Sequence, residues 1–142
     1  MRNFDSDCIF CKIAKGEISS EIVYQDEFVT AFKDLSPVAP VHILMVPNGH
    51  YLDLNDCAES DKELLGYILL VGAKIAKQLG IDQSGYRIIV NDGPDAGQTV
   101  FHLHFHFLLN LQIQLPHHLE GIKILNQHYL KALFFFLYSF YL

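Results

Sequence analysis

The sequence has few basic residues. Its 142 residues include 10 Lys and Arg against 16 Asp and Glu, which gives a formal net charge of -6. Nucleic acids and anionic membranes attract proteins through clustered Lys and Arg, which displace the counterions around phosphate groups. The acidic balance therefore argues against non-specific binding to either, although a small phosphorylated ligand can still occupy a locally positive site.

Cysteine is also scarce. The three cysteines are a close pair, Cys8 and Cys11, and the isolated Cys57, whereas small secreted proteins usually carry an even number in a disulfide framework. Charged residues interrupt the first seven positions, where a secretory signal needs an apolar core of about 7–15 residues. We expect a cytoplasmic protein with reduced thiols. In that setting the close pair either binds a metal or fills the core as two small apolar side chains.

Long hydrophobic runs are absent as well. The most apolar segment, residues 133–142, is much shorter than the roughly 20 apolar residues that a membrane span needs. Polar and apolar residues lose clear periodicity from Asn110 onward. Because 142 residues suit a single core, we predict one globular domain over residues 1–109 and an atypical apolar tail over residues 110–142, with no membrane span.

Up to residue 109 the patterns predict alternating strands and two helices. The longer helix should begin at Ser60, which has the capping-box spacing with Glu63. Gly80 provides a left-handed residue to end it, after apolar residues at helical spacing. The other predicted elements are a short helix over 8–15 ending at Gly16, strands at 21–24, 28–32, 42–46, 86–90 and 100–109, and a glycine-rich loop over 91–99. The order predicts an α+β fold, an antiparallel meander sheet with one long helix packed on it.

The last predicted strand contains the segment FHLHFHFLL, with histidines at positions 102, 104 and 106. On a strand these three side chains share one face and are spaced by roughly 6.6 Å, so one metal ion could not easily bind all three. A neutral imidazole is a good nucleophile, and the nearby glycines at 93 and 97 can expose backbone N–H groups to phosphate oxygens. The combination indicates attack on phosphorus, with the histidines performing separate tasks.

Several motifs in this sequence resemble those of the histidine triad (HIT) family, in its nucleoside phosphoramidase-like branch. They are the histidine row itself and the segments CIFCKIAKGEI, AFKDLSPVAPVHILMVP and YRIIVNDGPDAGQTVFHLHFH, spread over about residues 4–109. The resemblance implies a HIT-like α+β subunit that forms a homodimer. It also implies hydrolysis of nucleoside 5'-phosphoramidates or related purine nucleotides through a covalent nucleotidyl-histidine intermediate.

The resemblance assigns a role to each matching residue. His104 would be the nucleophile, His106 would contact the phosphate, Thr99 would contact the bridging or leaving-group atom, and His42 would lie against the triad. Asp34 would bind the ribose hydroxyls. The nucleotide site as a whole would comprise Asp34, Asn91, Gly97, Gln98, Thr99, His104 and His106.

In family members with a Cys-x-x-Cys pair the resemblance also implies a structural zinc ion. Its ligands here would be Cys8, Cys11, His50 and His102, a tetrahedral set with no open position for substrate. This chain departs from the family after residue 109, where a glycine-rich turn and a basic residue are usual. Two other functions remain open: a nucleotide-binding adaptor with little or no turnover, and a metal-dependent hydrolase with the histidine row as ligands.

Overall fold

The computed structural model describes residues 3–109, so the predicted tail over 110–142 lies outside the described residues. The elements are α1 (Ile9–Ala14), β1 (Ile22–Gln25), β2 (Val29–Lys33), β3 (Val41–Pro47), α2 (Lys62–Gln78), β4 (Arg87–Val90) and β5 (Phe105–Leu109). Short 3₁₀ turns lie at Glu59–Asp61 and Pro94–Ala96. The α+β class and the predicted element order are confirmed.

All strand pairs of the five-stranded sheet are antiparallel, and the strands lie in the order β1-β2-β3-β5-β4. The chain leaves β3, forms α2, and returns to pair β4 with β5, so β5 rather than β4 lies beside β3. β3 therefore lies at the centre of the sheet. Because both of its faces are covered, its sequence is a continuous apolar run rather than an alternating one.

The sheet separates two hydrophobic clusters. Alternate side chains of β3 enter opposite clusters: Ile43 and Met45 pack with α2, whereas Leu44 and Val46 pack with α1. On the α2 side the helix approaches β4 closely. A Cβ on Gly72 would come within 2.7 Å of the Ile88 Cδ1 atom, so a larger residue at this turn of α2 would displace the Ile88 side chain.

The predicted helix start was wrong in detail. No side-chain hydrogen bond from Ser60 begins α2, which starts at Lys62 behind a 3₁₀ turn. Asp61 closes that turn instead, because its Oδ2 accepts from the Ala58 N–H at 2.8 Å and its own N–H donates to the Ala58 carbonyl at 2.9 Å. At the other end, Gly80 adopts a φ of +68°, as predicted for the residue that follows the helix.

The predicted strand over 100–109 was too long, since β5 begins only at Phe105. The alternation nevertheless continues upstream of the strand. Leu103, Phe105 and Phe107 all enter the α2-side core, whereas Phe10 of α1 contacts the rings of His102 and His104 on the other side. Within residues 3–109, no helix is both long and apolar enough to cross a membrane.

Candidate active site and metal centre

The first cluster of the site joins α1 to the segment before β5. Cys8 and Cys11 come from the start of α1, His50 follows β3, and His102 precedes β5. The His102 Nδ1 lies 3.3 Å from the Cys8 Sγ and 3.5 Å from the Cys11 Sγ, and the His50 Nδ1 lies 3.4 Å from the Cys11 Sγ. All four predicted metal ligands are therefore brought together.

These distances fit a tetrahedral zinc ion. Zinc bonds of 2.3 Å to sulfur and about 2.05 Å to nitrogen place the two ligand atoms about 3.6 Å apart at the tetrahedral angle. Moreover, both sulfur atoms lie near the single lone pair of the His102 Nδ1. That lone pair can accept only one thiol hydrogen bond, whereas a cation between the ligands would bind the nitrogen and both sulfur atoms at once. The residues present thus fit a Cys2His2 zinc site.

The outer nitrogen of each histidine ligand also lies near an oxygen atom. The His102 Nε2 lies 3.0 Å from the Pro47 carbonyl oxygen, which can only accept, so this nitrogen carries the proton and Nδ1 is left unprotonated. The His50 Nε2 lies 3.7 Å from an Asp5 carboxylate oxygen. The Pro47 carbonyl thus orients His102 toward a metal, whereas the Asp5 carboxylate is near the His50 ring but beyond hydrogen-bond distance.

Protonation in this cluster is linked to metal binding. Burial is the main cause that raises the pKa of the Cys11 thiol to about 11, so without a metal this side chain is a neutral thiol at pH 7. Burial likewise lowers the pKa of His102 to about 4 and leaves its imidazole neutral. A zinc ion needs the thiolate, so binding would release the Cys11 proton.

The second cluster begins with His104, whose ring orientation is fixed by its neighbour in the chain. The His104 Nδ1 lies 2.6 Å from the His102 carbonyl oxygen. Since a carbonyl only accepts, Nδ1 carries the proton, and the lone pair of the neutral ring is on Nε2. Within the described residues this Nε2 has no hydrogen-bond partner, although the residue is only 5% exposed.

His42 orients His106 through a short chain of hydrogen bonds. The Val38 N–H donates to the His42 Nδ1 at 3.3 Å, which leaves the proton of the neutral ring on Nε2. That Nε2 lies 2.8 Å from the His106 Nδ1. Burial lowers the pKa values of both histidines, that of His106 to about 4. His106 therefore accepts through Nδ1 and carries its own proton on Nε2.

The proton on the His106 Nε2 has no acceptor among the described residues. The His106 Nε2 is buried and makes no hydrogen bond to any residue of the described part of the chain. A buried N–H without a partner costs roughly 1–3 kcal/mol, so a bound acceptor would relieve a real penalty. The ring centroids of His104 and His106 are 5.0 Å apart, so the ring with the free Nε2 lone pair is next to the ring with the unpaired N–H.

Asp34 lies at the outer end of this chain. Its Oδ1 accepts from the Ser36 N–H at 2.8 Å, and its Oδ2 lies 3.3 Å from the His42 Nε2. Asp34, His42 and His106 could in principle hold a metal ion. A metal on the His42 Nε2 would, however, force a proton onto Nδ1, where the Val38 N–H already points. The hydrogen-bond chain is the better account of this cluster.

The glycine loop places the remaining predicted residues near the end of β4. Val90 pairs with Phe105 in the antiparallel ladder. Asn91, the next residue, therefore leaves the sheet at the position along the strands that is opposite His104. Gly97 and Thr99 are exposed, and no hydrogen bond joins either of them, or Asn91, to the triad within residues 3–109. Gln98 is buried between them, and its side-chain amide bonds to protein groups.

Two residues near the site were missed by sequence reasoning. Asp5 contacts the His50 ring as described, and Phe10 packs edge-on against His104 and His102 with centroid distances of 5.2 and 6.0 Å. Nothing in the helical spacing points to Phe10, because a residue two positions after Cys8 does not share the face of Cys8 and Cys11.

Comparison with known proteins agrees with this geometry. The HIT domain family model matches residues 15–112. A purine nucleoside phosphoramidase of Escherichia coli strain K12 is 49% identical over 102 residues, which cover 72% of this chain and 86% of the relative.

Solved structures give the same result. A histidine triad protein from Clostridium difficile superposes with a TM-score of 0.74 at 52% identity, covering 79% of this chain and 96% of that one. A HIT family hydrolase from Legionella pneumophila Philadelphia 1 has a TM-score of 0.72 at 41% identity, with coverage of 77% and 97%. This chain therefore belongs to the HIT domain family and is an enzyme of the hydrolase class.

Proposed function

We propose that this protein hydrolyses nucleoside 5'-phosphoramidates or related purine nucleotides through a covalent intermediate on His104. The observation that carries the proposal is the pairing of two groups without partners in the described chain. The neutral His104 ring presents the lone pair of Nε2, and the buried His106 Nε2 beside it presents an N–H. A nucleophile next to an unpaired donor suits a phosphoryl group, which offers an electrophilic phosphorus and acceptor oxygens.

In the first step the His104 Nε2 attacks the α-phosphorus, a nitrogen–phosphorus bond forms, and the bond to the leaving amine breaks. The amine departs with a proton taken up from solvent, which the attacking water gives back in the second step, and Thr99 on the exposed loop would contact the leaving-group atom. In the second step water attacks the same phosphorus, the bond to His104 breaks, and a nucleoside monophosphate is released. The His106 N–H would bind a phosphate oxygen in both steps.

The other predicted contacts are part of the same proposal. A carboxylate has about four lone-pair positions, so Asp34 retains acceptor capacity for ribose hydroxyls beyond its bond from the Ser36 N–H and its contact with the His42 ring. Asn91 and the loop residues Gly97 and Thr99 would line the phosphate side, and Gln98, predicted with them, would hold the loop between Gly97 and Thr99 in place. His42 would act by holding the tautomer of His106.

Zinc would support this chemistry structurally. Cys8, Cys11, His50 and His102 would hold the ion, which, when bound, cross-links α1 to the segment before β5. The His102 carbonyl that orients His104 belongs to one of these ligands. We also retain a cytoplasmic location as a proposal, since thiols at Cys8 and Cys11 suit a reducing compartment.

We further propose a homodimer formed through β4 and α2. β4 is at one edge of the sheet, and an edge strand offers unpaired backbone groups to a second chain. Nearby, α2 exposes Leu69 and Leu70 at 49% and 62%, one turn from the point where Gly72 meets Ile88. Sedimentation velocity should give a dimer, and Leu69→Asp should shift it toward monomer, whereas Ile18→Asp should not. A monomeric parent protein would refute this assembly.

The function is tested with a fluorogenic adenosine phosphoramidate. The parent protein should release the amine, and His104→Ala should lower kcat at least 1,000-fold, the scale for loss of a nucleophile. Gln83→Ala, at an exposed position of the loop before β4, should behave as the parent does. Equal rates for parent and His104→Ala would refute the nucleophile. Binding of AMP without cleavage by the parent would favour the adaptor function.

A further inference from the structure

Gln98 is a buried polar residue that the proposed chemistry does not use directly. The residue is 4% exposed. The Nε2 group donates to the Leu52 carbonyl at 2.8 Å and to the Val100 carbonyl at 3.2 Å, which occupies both of its hydrogens. No donor of this amide is left for a phosphate oxygen. A role for Gln98 must therefore act through the groups that it holds.

One of those groups is Gly93, at the start of the loop. The Gly93 N–H donates to the Gln98 Oε1 at 2.8 Å, and the Gln98 N–H donates to the Gly93 carbonyl at 3.1 Å. These two bonds close the turn over 93–98. Gly93 and Gly97 have φ values of +81° and +83°, so the backbone follows a path that requires glycine at both positions. Gln98 fixes that path.

The Leu52 carbonyl connects the loop to a second segment of the chain, residues 51–55. Asp92 makes the same connection, because its Oδ2 accepts from the Leu54 N–H at 3.0 Å and its Oδ1 accepts from the Asn55 amide at 2.8 Å. The Tyr51 carbonyl in this segment accepts from the Leu103 N–H at 2.6 Å. The segment thus links the glycine loop to the chain that carries His102 and His104.

We propose that Gln98 is a positioning residue, which with Asp92 holds the glycine loop on residues 51–55 at a fixed distance from His104. Gly97 and Thr99, on either side of the buried Gln98, are exposed, so this arrangement leaves both residues accessible to a ligand. The inference rests on the proposed function for its substrate. It assigns Gln98 no contact with that substrate, whereas a residue lining the phosphate site would touch it.

The test uses two variants. Gln98→Met keeps the length of the side chain and removes all of the side-chain hydrogen bonds. Gln98→Glu keeps an acceptor for the Gly93 N–H but places a carboxylate oxygen, which cannot donate, against the Leu52 and Val100 carbonyls. With the fluorogenic adenosine phosphoramidate, kcat should fall about 100-fold in both, the scale of a misplaced reacting group. KM should change less than threefold. Hydrogen exchange at the Gly93 amide should accelerate in Gln98→Met. The matched change Gln83→Glu, at an exposed glutamine, should alter none of these.

A less disruptive variant tests the same proposal if the Gln98 variants do not fold. Asn55→Ala removes one exposed bond to Asp92 and should lower kcat about fivefold, the effect of one hydrogen bond, with an unchanged melting temperature. A kcat within twofold of the parent in folded Gln98→Met, or in Asn55→Ala if that is the only folded variant, would overturn the proposal. So would a loss confined to KM, which would indicate direct substrate contact.

Failure of the proposed function gives a different result. A parent protein that cleaves no phosphoramidate refutes the function, and the loop is then judged by Gly93 exchange alone: acceleration in Gln98→Met supports the positioning, and unchanged exchange overturns it.

Discussion

The two ends of the histidine row differ in how completely the protein satisfies them. His102 is fully buried, and both ring nitrogens have partners: the Pro47 carbonyl on Nε2 and the cysteine thiols on Nδ1. His106 is tied to His42 through Nδ1, whereas its Nε2 has no partner in the described chain. Burial lowers the pKa of both to about 4. Two residues of the same type in one row thus have different candidate roles. His102 is a candidate structural metal ligand, and His106 is a candidate hydrogen-bond donor to phosphate.

The difference teaches that partners, rather than the alternating pattern, set the role of each histidine. A side chain whose hydrogen bonds are complete can stabilise the fold, and one with an unpaired buried N–H is available to a ligand. The predictions below change one end at a time.

The largest effect is expected at the His106 end. His106→Ala should lower kcat for the phosphoramidate about 100-fold, the usual cost of removing one donor to a developing negative charge, while thermal denaturation shows a melting temperature close to that of the parent. Steady-state kinetics at 25 °C provides the comparison. An unchanged kcat would show that the unpaired N–H does not meet the substrate.

At the His102 end the effect should fall on stability. Cys11→Ser should abolish the binding of one zinc per chain, measured by metal analysis, and lower the melting temperature by about 10 °C, as expected for the loss of about 2 kcal/mol of ligand-linked stability. The part of the protein still folded at 25 °C should retain kcat within tenfold.

Cys57→Ser is the matched control for this variant. Cys57 packs beside the main core, and its thiol donates to the Asp53 carbonyl at 3.6 Å, away from the four candidate ligands. Zinc content should be unchanged. Immediate and complete loss of chemistry on zinc removal, with the fold intact, would instead indicate a metal-dependent reaction.

A smaller effect concerns pH, measured with a chelator present so that zinc release does not contribute. The unfolded chain has histidine pKa values near 6.5, whereas burial chiefly holds His106 in the folded protein at about 4. Between these values the unfolded state binds more protons, so stability should be level above pH 6.5 and decline as the pH falls toward 4. His106→Gln should flatten this decline; an identical decline in the variant would contradict the buried neutral histidine.

The fold could be read largely from the sequence because periodicity reports which side chains share a face, whereas the candidate ligand set came only from the resemblance to the HIT family. The apolar run at β3 and the end of α2 at Gly80 are examples. The start of α2 could not be predicted. Ser60 has the capping-box spacing with Glu63, but a 3₁₀ turn closed by Asp61 precedes the helix and moves its start to Lys62.

The chemistry of the site was less accessible. The histidine row predicted a shared face correctly, but β5 begins only after His104. The tautomers follow from backbone partners. The Pro47 carbonyl is 55 residues from His102, the His102 carbonyl is 2 residues from His104, and the Val38 N–H is 4 residues from His42. Only the folded backbone brings these groups to the rings. The division of the chain at residue 109 remains a prediction.

The central claim, that the His104 Nε2 bonds to phosphorus during turnover, is tested most directly by quenching the enzyme in acid-free denaturant within milliseconds of mixing with an adenosine phosphoramidate. Peptide mass spectrometry should find an adenylyl adduct on His104 that is absent from His104→Ala. Rapid amine release with no adduct on any histidine would contradict the account.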